Sequence, residues 1–171
     1  MKKTIIILSV IVIILCIFKT EEVIIPNESI RFRVVANSNT IKDQQIKKVI
    51  VESLNNEINT ISNKSNTIEE ARTNIIEDIP TIQNNINNTI KELNYNKNIK
   101  VEYGNNYFPK KTYKGITYNE GEYESLVITI GDGIGKNFWC VLFPPLCNID
   151  DNKEDVEYVS LIKEILNKYK R

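Results

Sequence analysis

Across residues 68–93 the apolar side chains Ile68, Ala71, Ile75, Ile79, Ile82, Ile86, Ile90 and Leu93 recur at intervals of 3, 4, 4, 3, 4, 4 and 3. Only a helix puts residues three and four apart on one face, so this stretch must be helical and must have one side covered. Thr67-x-x-Glu70 at its start has the spacing of a capping box, in which a hydroxyl and a carboxylate take orphan amides of the first turn. Pro80 brings no amide to the middle of the seam, which predicts a kink or two abutting helices with the apolar stripe carried across the break. Such a seam can serve a coiled-coil partner, but filling the chain's own core is the simpler use. Residues 43–62 repeat the theme: Ile46, Ile50, Leu54, Ile58 and Ile61 fall on one face of a second amphipathic helix.

Helices with one apolar face need a partner layer, and the flanking segments supply it. Ile30, Phe32, Val34 and Ala36 alternate with Arg31, Arg33 and Asn37, predicting a strand over residues 30–36, with Asn37-Ser38-Asn39-Thr40 as turn and cap. Residues 99–103, 123–130 and 139–143 read as further strands, the last ended by Pro144-Pro145. Tyr158, Leu161, Ile162, Ile165 and Tyr169 mark a closing amphipathic helix. With 171 residues, 42% of them hydrophobic and 26% charged, the chain has material for one ordinary core. The expected class is α+β: a single domain with a mainly antiparallel sheet covered by amphipathic helices, after an N-terminal hydrophobic export segment. Residues 1–20 form the signal-type or membrane-anchor segment, 21–29 a linker, and 30–171 the α+β domain.

The export reading rests on residues 4–18, an uncharged apolar run between Lys3 and Lys19 that follows Met1-Lys2-Lys3. Its fifteen residues stand at the top of the secretory range and just under the roughly 17 needed to span a bilayer. Cys16-Ile17-Phe18-Lys19-Thr20 offers bulky side chains where a signal peptidase wants small ones, which favours an uncleaved tether with Lys2 and Lys3 on the cytoplasmic side. Leu15 before Cys16 argues in the same way against lipidation. The protein is expected outside the cytoplasmic membrane, secreted or tethered through residues 4–18; a buried core helix or strand is the other use of so apolar a run.

The chain has no histidine, which removes the usual neutral-pH base, zinc ligand and activator of serine or cysteine nucleophiles. Beyond residue 19 it carries 19 basic and 22 acidic residues, with no basic patch to neutralise phosphates, so nucleic acid is not an expected partner. Gly131-x-Gly133-x-Gly135 follows a predicted strand as a phosphate loop would. What comes next, however, is Asn137-Phe138-Trp139-Cys140-Val141-Leu142-Phe143 and two prolines, leaving no helix N-terminus for an anion. We read it as a glycine-rich connection between two antiparallel strands, and expect neither cofactor nor metal. Glu120, Glu122, Glu124 and Asp132 are the carboxylates from which an acid–base pair acting on cell wall would be drawn. A solvated strand face accounts equally for the three glutamates, and Asp132 has no evident partner. Cys140 and Cys147, with two prolines between them, can close a disulfide in an oxidising location; as free thiols they would be small buried core residues.

Two blocks carry a family resemblance. Ile30-Arg31-Phe32-Arg33-Val34-Val35-Ala36-Asn37-Ser38-Asn39 with Asp43-Gln44, and then Gly131-x-Gly133-x-Gly135-x-Asn137-Phe138-Trp139-Cys140-Val141-Leu142-Phe143-Pro144-Pro145-Leu146-Cys147, stand in this order after a hydrophobic N-terminus. In this the chain resembles the stage II sporulation protein R family, with Phe138 where that family often has a second tryptophan. The resemblance implies a non-enzymatic protein made in the forespore and exported into the space between forespore and mother-cell membranes. There it would activate a membrane-embedded aspartic peptidase that processes the sigma-E factor precursor. A ligand shifts a receptor only by binding one of its states better, so the expected site is a surface. Asn37, Ser38, Asn39 and Asp43 after the first strand, with Gly131, Asp132, Gly133, Gly135, Asn137 and Trp139 near the last, are its candidates, on one edge. Trp139, the single tryptophan, is either the anchor of that surface or a core residue. A peptidoglycan-modifying enzyme and a structural component of the same intermembrane space are the alternatives.

Overall fold

The computed structural model describes residues 23–147 and 154–169; the apolar run 4–18 lies outside them. Strand β2 (Ile30–Val35) organises the molecule. Its alternation sends Ile30, Phe32 and Val34 to one face and Arg31 and Arg33 to the other, and five of its six residues are buried, as befits an interior strand. Around it stand β3 (Ile99–Phe108), β6 (Gly121–Ile130) and β7 (Asn137–Phe143), in the order β3-β6-β2-β7. β2 runs parallel to β6, with Phe32 opposite Leu126 and Val34 opposite Ile128, and antiparallel to β7, with Phe32 opposite Cys140 and Arg33 opposite Trp139. β3 and β6 are antiparallel along their whole length.

Three helices cover the face carrying Phe32 and Val34: α1 (Ile41–Ser53), α2 (Asn55–Lys64) and α3 (Ile68–Glu92). Their buried residues Ile46, Ile50, Leu54, Ile58, Ile61, Ala71, Ile75, Ile82 and Ile86 are the residues of the two sequence seams. Each fully buried isoleucine or leucine stabilises this layer by about 1.5–3 kcal/mol relative to exposure. The expected single helix over 43–62 is instead two helices, hinged at Leu54 (φ −93°, ψ 0°), whose amide donates to the Val51 carbonyl. The reason lies in the spacing. Ile46, Ile50, Leu54 and Ile58 are each four apart, a step that drifts about 40° around a straight helix, so the axis must turn to keep the stripe on the sheet. The mixed intervals of α3 average close to the helical repeat, and α3 runs unbroken through Pro80. Pro80 and Ile76 are both exposed, so the Ile76 carbonyl that the proline leaves without an amide faces water. At the start of α3 the Thr67 hydroxyl accepts from the Glu70 amide, while the Glu70 carboxylate accepts from the amide of Asn66, one residue earlier than the capping box expects.

A second, smaller sheet is made of β1 (Val23–Ile24), β5 (Ile116–Tyr118) and β4 (Lys111–Tyr113), in that order. β4 and β5 form a hairpin whose turn residues Lys114 (φ 48°) and Gly115 (φ 77°) both adopt left-handed conformations, the two-residue turn that suits strand twist. Val23, Ile25 and Ile116 pack with Val141 and Leu146 and with Tyr158, Ile162 and Leu166 of α4 (Asp155–Tyr169) to form a second core. Residues 23–29, expected to be a linker, therefore open with a paired strand and two core side chains. The α+β class stands, in the form of two mixed, mostly antiparallel sheets with helices.

Candidate interaction edge

At the carboxyl end of β2 the chain leaves the sheet as Ala36-Asn37-Ser38-Asn39 and caps α1 through the Thr40 hydroxyl, which accepts from the Asp43 amide. The glycine-rich segment arrives at the same place. β6 and β7 are not neighbours, because β2 lies between them, so residues 131–136 cross over the end of β2 rather than closing a hairpin. The segment joins two antiparallel strands, as expected, and its passage over β2 explains the glycines. A Cβ at Gly135 would collide with the Ser38 carbonyl, and one at Gly131 (φ +56°) with the Asn37 side chain.

The two loops are stitched together by four hydrogen bonds, and α1 adds a fifth to the glycine-rich one. The amides of Gly135 and Ile134 donate to the carbonyls of Ala36 and Asn37, at 2.9 and 3.3 Å. The Asp132 amide donates to Asn37 Oδ1 at 3.0 Å, the Lys136 amide to Asn39 Oδ1 at 2.8 Å, and Lys47 Nζ on α1 to the Lys136 carbonyl at 3.0 Å. Asn37 then donates from Nδ2 to Asp43 Oδ2 at 2.8 Å, so one buried amide side chain links both loops to α1. Asp43 also accepts from Ser38 Oγ at 2.5 Å and, on its other oxygen, from Tyr95 Oη at 2.9 Å. These donors, Ser38 foremost, followed by Asn37 and Tyr95, hold the Asp43 carboxyl well below the usual carboxylate range. Burial, reinforced by the bond to Asp43, pushes Tyr95 up to about 12.

Of the residues singled out in the sequence, Asn37, Ser38, Asn39, Asp43, Gly131, Asp132, Gly133 and Gly135 share this edge, with Gly133 placed by its amide's bond to the Ile130 carbonyl. Asn37 and Asp43 are buried braces, whereas Asn39 and Asp132 are exposed, the latter beside Lys97 at 3.8 Å. Asn137 and Trp139 are already in β7, on the sheet face opposite the three helices. Trp139 packs there against Phe108 (ring centroids 5.3 Å) and beneath Arg33 (5.5 Å), half-buried and apart from the loops. Cys140 and Cys147 are joined in a disulfide, with Cα atoms 5.4 Å apart. Glu124 faces the helices, where Arg72 donates to both its oxygens (2.7 and 2.8 Å) and Tyr103 Oη donates at 2.6 Å, and these bonds, Arg72's foremost, hold its carboxyl below the usual carboxylate range. Two residues of the edge escaped the sequence reading. Ile41, 80% exposed, starts α1, and Ile134, 75% exposed, sits between Gly133 and Gly135. Each is an isoleucine outside every apolar seam, which was the available signal.

Among the described residues no three His, Cys, Asp or Glu side chains gather as a metal site would require, and no helix is long and apolar enough to cross a membrane. Fold and edge together define a small, two-core α+β protein that presents a braced pair of loops. The chain belongs to the stage II sporulation protein R family, which matches residues 26–153. It is 42% identical over 132 residues to stage II sporulation protein R of Bacillus subtilis (strain 168), an alignment covering 77% of this chain and 59% of that relative. The chain thus spans less than two thirds of that relative's length. No solved structure matches it.

Proposed function

We propose that the protein is an exported, non-enzymatic signal of endospore formation that acts between two compartments. It leaves the forespore through residues 4–18 and remains in the intermembrane space, released or tethered. There it binds a membrane-embedded aspartic peptidase of the mother-cell membrane and favours its active state, so that the sigma-E precursor is cut. Membership of the stage II sporulation protein R family carries this reading. The braced edge supports it: Asn37, Asp43 and the Asn39 side-chain carbonyl oxygen are occupied in holding the loops, which leaves the exposed Asp132 and the isoleucines Ile41 and Ile134 to meet a partner. Apolar side chains held on a rigid loop pair lose little freedom on binding and so suit a receptor contact.

The test is co-expression in a non-sporulating bacterium of the cognate peptidase and the sigma-E precursor, with and without this protein, with precursor cleavage scored by immunoblot. Cleavage is expected only when the protein is present and exported. The double variant Ile41→Asp, Ile134→Asp is expected to fold normally by circular dichroism and to abolish cleavage. An uncut precursor despite export of folded wild-type protein would reject the reading in favour of wall modification or a structural role.

A further inference from the structure

The loop edge carries an unbalanced charge. Segments 37–47 and 131–136 contain three lysines, Lys42, Lys47 and Lys136, and two carboxylates, Asp43 and Asp132. Both carboxylates are already engaged. Asp43 is buried and accepts from Ser38, Asn37 and Tyr95, and Asp132 lies beside a fourth lysine, Lys97. Lys42 and Lys136 are exposed, and neither has a carboxylate within ion-pair distance among the described residues. Lys47 donates to the Lys136 carbonyl, and its basicity is depressed by burial and by the Lys136 charge, so the cations crowd one another. Four lysines to two carboxylates is the reverse of the body as a whole, where acids outnumber bases.

The two protruding isoleucines belong to the same stretches: Lys42 follows Ile41, and Lys136 stands two residues after Ile134. The Ile134 amide is bound to the Asn37 carbonyl and Ile41 opens α1, so neither needs ordering before it inserts. Protein interfaces draw most of their energy from aromatic side chains and arginine and are poor in lysine, whereas segments 37–47 and 131–136 contain no aromatic residue and no arginine. The edge therefore lacks the anchors that would hold it to a receptor by protein contacts alone. Apolar side chains interspersed with lysines fit a bilayer surface: the apolar groups enter the headgroup boundary and the ammonium groups meet phosphates.

We propose that the loop edge docks on an anionic phospholipid surface, with Ile41 and Ile134 entering the bilayer boundary and Lys42 and Lys136 against lipid phosphates. The inference rests on the proposed function for its setting only: a receptor embedded in a membrane is reached at the bilayer surface, where the edge meets lipid beside it.

The test uses the full-length protein with Cys16→Ser and Ile134→Cys, labelled at residue 134 with an environment-sensitive dye, since Cys140 and Cys147 are joined and do not react. A second protein carries the dye at Ile76→Cys, an exposed isoleucine of α3 beside Glu77 and Asp78, as the reference for adsorption through residues 4–18. Vesicles of phosphatidylcholine alone are compared with vesicles that also contain phosphatidylglycerol. The dye at 134 is expected to shift to the blue saturably on phosphatidylglycerol vesicles and to need at least about tenfold more lipid on phosphatidylcholine. The response should be lost in about 1 M salt, and the dye at 76 should not shift. Lys42→Gln with Lys136→Gln, both exposed and neither side chain a brace, should raise the lipid required at least about tenfold, and Ile41→Ser, which leaves the charges alone, should raise it as well. Equal responses to the two lipids, equal shifts at 134 and 76, or no shift by folded protein would each overturn the proposal. So would a shift that appears only when the peptidase is added to the vesicles, which would make the edge a protein contact. No arm scores cleavage, so an unresponsive edge leaves the signalling reading standing, and an uncut precursor leaves the lipid result standing.

Discussion

Asn37 and Asp43 are both buried, and each spends its polar capacity on holding segments together that are distant in sequence. Replacing Asn37 with Ala leaves the Asp132 amide without its acceptor and takes one of two donors from Asp43 Oδ2, and is expected to cost about 1–3 kcal/mol, measured by urea unfolding. Asp43 makes stability depend on pH. Its folded pKa lies below the ordinary value of about 4, so its contribution is fully present above that value and is lost as pH falls through the folded one. Tyr95 acts at the other end. Its folded pKa is raised to about 12, so its contribution is intact below the ordinary value of about 10 and is lost as pH rises through about 12. Urea midpoints measured across pH should fall at both extremes in the wild type. The acid limb should flatten in Asp43→Asn and the alkaline limb in Tyr95→Phe.

At the level of elements, α3 carries an inexpensive test of its own continuity. Pro80 lies on the solvent side of an unbroken helix, so Pro80→Ala restores an amide and removes ring crowding without touching the core. It should stabilise the protein by up to about 3 kcal/mol, read from the urea midpoint. Apolar spacing made the helices and the long strands legible, because it states directly which face is covered. Spacing was silent on order. The glycine-rich segment does join two antiparallel strands, as its sequence suggests, but nothing in Tyr123–Ile130 or Trp139–Phe143 says that β2 separates them. The β4–β5 hairpin was missed although Lys114-Gly115 lies between Lys-Thr-Tyr and Ile-Thr-Tyr, since strands of three residues show too little alternation to register. The edge was partly legible: polar loop residues and glycines pointed to it. The displacement of Trp139 to the far face followed only from the parity of its pairing with Arg33.

The whole molecule is two cores sharing one sheet. The family match ends at residue 153, so α4, which covers the second core, lies beyond the matched region. The disulfide fastens the segment after β7 next to that core through Val141 and Leu146. Reducing it is expected to lower stability by about 2 kcal/mol, seen as a lower urea midpoint with reductant than without. β2 also has a kinetic consequence. Arg31 pairs with Ser125 on one side and Val141 on the other, so a polypeptide delivered amino end first brings out its central strand long before either neighbour exists. The sheet cannot close until almost the entire body has emerged, which makes for slow, late assembly from distant contacts. Until then the apolar β2 stands without its neighbours as an unpaired edge, open to wrong pairing.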